Sequence, residues 1–130
     1  MKLQTATRLG LYAVLELARS PTETLSAADL AQRFDVSPHH LAKVLRTLGT
    51  AGYVRGGRGA SGGYRFTANP RRTTLMDIVA LFEPAPGSRP VEPGEATEIG
   101  AALQRVLVEI DEIAEATLRS VSIATLLAHL

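Results

Sequence analysis

The sequence predicts a mainly α-helical fold with one two-stranded hairpin and a long helix near its C-terminus. Apolar residues recur three and four positions apart in three consecutive segments before residue 50, which is the spacing of one face of a helix. Two short segments rich in aromatic and β-branched residues then enclose five glycines, which is typical of a β-hairpin with a flexible loop. Residues 97–120 repeat apolar side chains in alternating steps of four and three, as in a coiled coil.

The first two helices are predicted from their apolar stripes and their end signals. Residues 3–19 carry the first stripe, and Pro21 ends that helix because proline disfavours helical backbone in the residue before it. Ser26 opens the second helix, with Asp29 three residues later in the spacing of a capping box. Each of the two helices is therefore predicted with at least one defined end.

The third helix has the residue pattern of a DNA-recognition helix. Ser37 is a good N-cap, and Pro38 suits the first helical position. The inner face is apolar and comprises Leu41, Val44, Leu45 and Leu48. The polar face presents Ser37, His39, His40, Lys43 and Thr47. Because a helix fits the major groove of DNA and its N-terminal residues reach base edges, this polar face is a candidate for base contacts.

The hairpin adds a second candidate contact with DNA. Strands are predicted at residues 53–55 and 64–67, and the glycine-rich loop between them carries Arg58 at its centre. An arginine on a thin loop suits a narrow, electronegative minor groove. Arg55 and Arg65 are candidates for phosphate contacts. Two helices, a turn, a third helix and a basic hairpin, in that order, predict a winged helix-turn-helix that binds double-stranded DNA.

The segment after the hairpin predicts self-association. Thr74 with Asp77 opens a fourth helix, and prolines and glycines at 84–94 then indicate a linker or an ordered loop. The seam of the long helix comprises Ile99, Leu103, Val106, Ile110 and Ile113. That helix is roughly 35 Å long at 1.5 Å per residue, more than a small domain needs to cover its own core. We therefore expect the seam to face a second copy of the chain, and a short apolar helix to follow at 122–127.

These boundaries divide the chain into three predicted parts. Residues 1–83 form the winged-helix DNA-binding domain, residues 84–96 a linker loop rich in proline and glycine, and residues 97–130 the dimerisation helix with the C-terminal helix. The charge is divided in a similar way, since residues 1–72 hold eleven Lys/Arg against four Asp/Glu and residues 73–130 hold three against nine. A basic half beside an acidic half favours a polyanionic partner for the first half.

Composition excludes several classes of protein. The 130 residues are 45% hydrophobic and 21% charged, which suits one globular domain and not a disordered chain. There is no apolar run long enough to span a membrane and no signal-peptide core, so we expect a cytoplasmic protein with no membrane partner. Cysteine is absent, which excludes disulfides and thiolate ligands.

No enzyme chemistry is predicted from the motifs. The pattern Gly-x-Gly-x-x-Gly at residues 57–62 precedes a predicted strand, whereas a dinucleotide-binding loop precedes a helix. Ser61 lacks base and acid partners in a recognisable order. His39 and His40 point about 100° apart on a helix and do not easily share a metal ion. We therefore expect a binding protein without a catalytic or metal site.

Several motifs also resemble one known family. Val36-Ser37-Pro38, Ala51-Gly52-Tyr53-Val54 and the most specific stretch, Arg58-Gly59-Ala60-Ser61-Gly62-Gly63-Tyr64, are similar to the IscR/NsrR-like (Rrf-two) family of bacterial transcriptional regulators. The resemblance covers nearly the whole chain. It implies a homodimeric repressor on a palindromic operator, with recognition helices in successive major grooves. It places base contacts at Ser37, His39, His40 and Lys43 and a minor-groove contact at Arg58.

The chain departs from that family at one point. Many relatives hold an iron–sulfur cluster on three cysteines between the wing and the dimer helix. By spacing, those positions fall near Arg89, Glu95 and Ala101, which cannot replace thiolates as a set. We therefore expect no cluster and no other cofactor. The signal is open between a small-molecule inducer and a partner protein, and the alternative function is a protein-interaction adaptor with only weak, non-specific DNA affinity.

Overall fold

The computed structural model describes residues 2–57, 62–84 and 88–130. Within those ranges the chain forms six helices and two strands. They are α1 (Thr5–Arg19), α2 (Ala27–Phe34), α3 (Pro38–Thr50), β1 (Val54–Gly56), β2 (Tyr64–Phe66), α4 (Leu75–Phe82), α5 (Glu98–Ser120) and α6 (Ile123–Leu127). The predicted fold, mainly helical with a two-stranded hairpin and a long C-terminal helix, is confirmed.

Short polar side chains define where α2 and α4 begin. The Asp29 amide donates to the Ser26 hydroxyl, and the Ser26 amide donates to the Asp29 carboxylate, so the predicted capping box is formed. Thr74 and Asp77 form the same reciprocal pair at the start of α4. Each box satisfies two amides that would otherwise have no partner in the first turn.

One hydrophobic core joins the first four helices to the hairpin and to α6. Its largest fully buried side chains include Leu17, Leu30, Leu41, Leu45, Leu48, Ile78 and Ile123. Backbone hydrogen bonds from Leu75 to Val121 and from Ile123 to Thr73 tie the end of α5 and the start of α6 to the start of α4. α6 therefore shares the core of the winged-helix part, and the residue limits of the three predicted parts stay a prediction.

The hairpin is antiparallel and is supported by a third segment. Val54 pairs with Phe66, and Gly56 pairs with Tyr64 at the end next to the loop. Leu25, just before α2, exchanges two backbone hydrogen bonds with Tyr64, at 3.0 and 2.7 Å. The base of the wing is thereby fixed to the helix-turn-helix.

α5 differs from the other long helices because none of its 23 residues, all described by the structure, is buried. Ala114 and Leu118 near its C-terminal end are half-buried, and that end packs on α4.

A side-chain contact joins the end of α4 to the start of α1. The Glu83 carboxylate at the end of α4 accepts hydrogen bonds from the Thr7 hydroxyl and from the backbone amide of Gln4. Within the described ranges, no helix is both long enough and apolar enough to cross a bilayer.

Candidate nucleic-acid interface

α3 is held on the surface by a short turn and a buried apolar face. Its buried residues are Leu41, Val44, Leu45 and Leu48, as predicted. In the turn before it, Asp35 takes the left-handed conformation with φ of 53°, which short polar side chains tolerate. The Val36 amide then donates to the Ala31 carbonyl at 3.0 Å. The turn and the buried face together fix which side of α3 points to solvent.

The solvent face of α3 forms one basic stripe. His39, Lys43 and Arg46 are exposed and stand at i, i+4 and i+7, which is one side of a helix. His40 lies half-buried at the edge of this stripe, and the half-buried Thr47 donates its hydroxyl to the Lys43 carbonyl at 3.3 Å. The sequence prediction included His39 and Lys43 but missed Arg46, which the seven-residue spacing from His39 would have revealed.

Ser37 stands exposed at the N-terminus of α3 and caps it. Its hydroxyl oxygen accepts a hydrogen bond from the His40 amide at 3.4 Å. A serine hydroxyl has one proton and two lone pairs, so the cap leaves its proton free to donate to an oxygen outside the chain. The helix N-terminus at this point also favours an anion.

Arg55 and Arg65 occupy directly opposed positions on the two strands, and both are exposed. Side chains directly opposite one another in an antiparallel pair share one face, and like charges there are destabilising. The two guanidinium groups therefore concentrate positive charge on one face of the hairpin at a cost to the isolated protein. An external polyanion offsets that cost.

A cleft of about 350 Å³ lies at the base of the wing, between the hairpin and the segment before α2. It is lined by Thr24, Arg55, Gly56, Gly57, Gly62, Gly63 and Arg65. Gly63 is essential to its shape, because a Cβ there would stand only 2.9 Å from the Leu25 backbone. Thr24 was not predicted as part of the site, since only the pairing of Leu25 with Tyr64 brings it there.

Arg58 and its neighbours at 59–61 lie outside the described residues. The minor-groove contact assigned to Arg58 therefore stays a prediction. The described ends of the loop come together, with the Gly57 amide donating to the Gly63 carbonyl at 2.8 Å. The loop thus begins and ends at the cleft that holds Arg55 and Arg65.

The ion pairs of the helix-turn-helix involve other arginines. Glu16 of α1 pairs with both Arg19 and Arg33. In the described part of the chain, no ion pair joins a carboxylate to Lys43, Arg46, Arg55 or Arg65. The positive charges on α3 and on the hairpin are therefore available to a polyanion.

The predicted seam of α5 is solvent-exposed along its whole length. All five seam residues are exposed: Ile99, Leu103, Val106, Ile110 and Ile113. Ile99 is the extreme, with 83% of its surface accessible. Contiguous apolar surface of this kind on a folded protein indicates an interaction site.

Comparison with known proteins identifies relatives over almost the full chain. Residues 3–129 match the model of the Rrf2 family, whose description is an iron-dependent transcriptional regulator. BadM of Rhodopseudomonas palustris, named as an HTH-type transcriptional regulator, is 52% identical over 127 residues, which span 98% of this chain and 81% of BadM. The HTH-type transcriptional regulator CymR of Bacillus subtilis is 31% identical over 99% of this chain and 91% of CymR.

Solved structures show the same fold. The structure of CymR, described as the global cysteine regulator of B. subtilis, superposes with a TM-score of 0.80 at 30% identity and covers 100% of this chain and 98% of CymR. The structure of T. potens IscR superposes with a TM-score of 0.78 at 26% identity, over 99% of this chain and 88% of IscR.

The residues of this chain do not fit the iron that the family description implies. The sequence has no cysteine, and its three histidines are His39, His40 and His129. The described residues contain no group of three or more His, Cys, Asp or Glu side chains placed to hold a metal ion. The undescribed positions 58–61 and 85–87 add no residue of those four types. No step of the function is therefore assigned to iron.

Proposed function

We propose that this chain, which belongs to the Rrf2 family of DNA-binding transcriptional regulators, acts as a cytoplasmic homodimeric repressor that binds a palindromic operator. The observation that carries the proposal is the exposed apolar seam of α5, a helix none of whose residues is buried in the single chain. A second copy on that seam brings two winged helices into one particle.

Each winged helix has separate groups for bases and for phosphates. We assign base contacts to Ser37, His39, His40 and Lys43, because the N-terminal residues of a recognition helix reach the base edges. We assign phosphate contacts to Arg55, Arg65 and Arg46, since the first two line the cleft at the wing and the third is exposed on the same face of α3 as His39 and Lys43. The family motif assigns Arg58 to the minor groove.

A symmetric dimer explains why the operator is expected to be palindromic. Two identical chains joined by one seam are related by a two-fold axis, as in most homodimers. The two recognition helices then read the same sequence on opposite strands. Half-sites about one helical turn apart place both helices in successive major grooves.

The experiment that tests this function is the selection of bound duplexes from a random library at near-physiological salt. We expect an enriched palindrome. His39→Ala then relaxes the selected sequence, whereas Arg65→Ala weakens all duplexes alike and lowers the salt slope by about one unit. Binding without any enriched sequence contradicts the repressor proposal, and a stoichiometric protein partner that survives nuclease treatment favours the adaptor function in its place.

We also propose that DNA binding by this chain needs no iron–sulfur cluster or other cofactor. The donor set supports this, because thiolates are absent and the histidines at 39 and 40 stand on the face assigned to DNA. Protein purified without oxygen should contain no stoichiometric iron and should bind its operator equally well with and without a chelator. One or more iron atoms per chain, with DNA binding that a chelator abolishes, would contradict the proposal.

A further inference from the structure

We propose that Arg89 and Glu95 are positioning residues that hold the first turns of α5 in place and thereby set the strength of self-association. The inference rests on the proposed function, because self-association through α5 is part of it. Neither residue belongs to the seam, and both lie in the predicted linker loop at 84–96. We call residues 89–100 the clip.

The ionic half of the clip is a bidentate contact between Arg89 and Glu95. The Arg89 guanidinium donates to both carboxylate oxygens of Glu95, at 2.6 and 3.4 Å, and also to the Pro90 carbonyl at 3.2 Å. The Glu95 carboxylate accepts a further hydrogen bond from the Glu92 amide at 2.8 Å. A paired arginine–carboxylate geometry adds orientation to charge, so these bonds fix the path of the chain from 89 to 95.

The backbone half of the clip connects that loop to the helix. The Thr97 hydroxyl donates to the Gly94 carbonyl at 2.6 Å and accepts from the Gly100 amide at 3.0 Å. Gly94 has a φ of +81°, which favours glycine. A Cβ on Gly100 would stand 2.0 Å from the Gly94 oxygen, so the loop lies directly on the first turn of α5.

No buried packing supports this end of α5. The C-terminal end of α5 is tied to α4, because the Val121 carbonyl that follows the helix accepts a hydrogen bond from the Leu75 amide. At the other end Ile99 and Leu103 are exposed. In the first two turns only Gly100 and Gln104 are half-buried. Isolated helical turns are marginal in water. The clip is therefore the described structure that holds Ile99 and Leu103 in helical register before a second copy binds, and such preorganisation lowers the entropic cost of association.

The Arg89–Glu95 contact is also only partly screened by water. The Glu95 side chain is 19% exposed and that of Arg89 is 47% exposed. Another partly exposed ion pair lies within α5, where Glu115 pairs with Arg119 at 3.6 Å; it has the same chemistry but closes no loop. It provides a matched control for the loss of one carboxylate.

The first measurement is hydrogen–deuterium exchange of the full-length chain in a monomeric background, Ile110→Asp, so that association does not contribute. Glu95→Ala should speed exchange at residues 100–103 by about three- to tenfold, the range expected for a charge-assisted contact that is partly exposed. Glu115→Ala should leave exchange there unchanged. Arg89→Ala combined with Glu95→Ala should be no worse than the larger single effect, because the two residues act as one unit.

The second measurement is the dissociation constant of self-association in the native background, by analytical ultracentrifugation. Glu95→Ala should raise it by about three- to tenfold with no change in the melting temperature of the winged-helix part, since the contact is remote from that core. Glu115→Ala should change it less than twofold, as expected for an exposed pair.

The outcomes separate this inference from the proposed function. Unchanged exchange at residues 100–103 in Glu95→Ala overturns the clip, whatever the oligomeric state. An unchanged dissociation constant despite faster exchange overturns its role in association. A native chain that stays monomeric at every concentration overturns the dimer and with it the second half of the inference, while the exchange result still decides whether the clip holds the helix.

Discussion

The winged-helix body (α1 to α4, the hairpin and α6) and α5 use the same kinds of apolar residue at the same helical spacing but have opposite exposure. In the body, leucines such as Leu17, Leu45 and Leu48 are at most 1% exposed. In α5, Leu103 is 58% exposed and Ile99 is 83% exposed. The body therefore buries its stripes within one chain, whereas the seam of α5 from Ile99 to Ile113 stays exposed in the described part of the chain.

The difference shows that helical periodicity in the sequence does not determine whether an apolar face is buried within the same chain. An apolar stripe predicts a helix and the face that will be covered. It does not say whether the cover comes from the same chain or from another. In this chain that information comes from α5 itself, because none of its residues is buried by the described part of the chain.

The largest expected effect comes from the same substitution, leucine to alanine, made once in each region. Leu45→Ala removes a fully buried side chain from the body and should lower the free energy of unfolding by about 2–5 kcal/mol. Leu103→Ala removes the same atoms from an exposed position and should change the unfolding of the monomer by less than about 0.5 kcal/mol. Denaturant unfolding at low protein concentration measures both, and equal effects would contradict the contrast between body and α5.

A charge in the seam should abolish self-association through α5 and leave the fold of the body unchanged. Ile110→Asp places a carboxylate in the middle of the proposed interface, where it has no partner. We expect a monomer with an unchanged circular dichroism spectrum and a loss of operator affinity on the order of 100-fold or more, since two half-sites no longer bind together. Persistent dimers in this variant would place the interface elsewhere, and Glu98→Gln in the first turn serves as the surface control.

Two glycines of the wing test how the body shapes its DNA-binding surface. Gly63→Ala forces a Cβ to within 2.9 Å of the Leu25 backbone and should cost about 1–3 kcal/mol of stability together with DNA affinity. A Cβ on Gly57 would stand 3.5 Å from the Gly62 Cα and 3.7 Å from the Gly63 backbone, which are ordinary contacts, so Gly57→Ala should be tolerated. Melting curves and fluorescence anisotropy distinguish them, and an unaffected Gly63→Ala would show that the wing base does not need this close approach.

The smallest effects are expected from two carboxylates, one in each region. Hydrogen bonds from the Ser26 amide and then its hydroxyl lower the pKa of Asp29, and hydrogen bonds from Arg89 and then the Glu92 amide lower the pKa of Glu95. A lowered pKa in the folded state gives stability that is present above the ordinary pKa and is lost as the pH falls through the lowered one. These contributions should therefore be complete at neutral pH and should decline below about pH 4.

The two carboxylates should act on different observables. Asp29→Asn should flatten the acid-side pH dependence of the melting temperature of the body. Glu95→Gln should flatten the acid-side pH dependence of the dissociation constant of self-association. If either variant keeps the native pH profile, the corresponding carboxylate does not contribute the linked stability.

The sequence predicted the fold because its signals are local. Caps such as Ser26 with Asp29 and Thr74 with Asp77 act over three residues, and the stripes of α1, α3 and α5 repeat within a few turns. The family resemblance rested on several motifs, of which the hairpin stretch is the most specific, and the match over residues 3–129 confirms it.

The features that the sequence did not predict depend on contacts between residues that no helix or strand periodicity relates. Leu25 meets Tyr64 across 39 positions through two backbone hydrogen bonds, so Thr24 could not be placed beside the wing from the sequence. Arg89 and Glu95 stand six residues apart in a proline-rich segment, where no helix or strand spacing indicates a pair. Arg46 is different, because its position seven residues after His39 puts it on the same face of α3 by helical periodicity alone.

The most direct test of the central claim is the mass of the native chain in solution, measured by sedimentation equilibrium over a range of concentrations without DNA. The claim that α5 is covered by a second copy predicts a species of twice the 13.8 kDa of one chain, which Ile110→Asp converts to a single chain. A native protein that sediments as one chain at every concentration, while it binds its operator with full affinity, would contradict the claim.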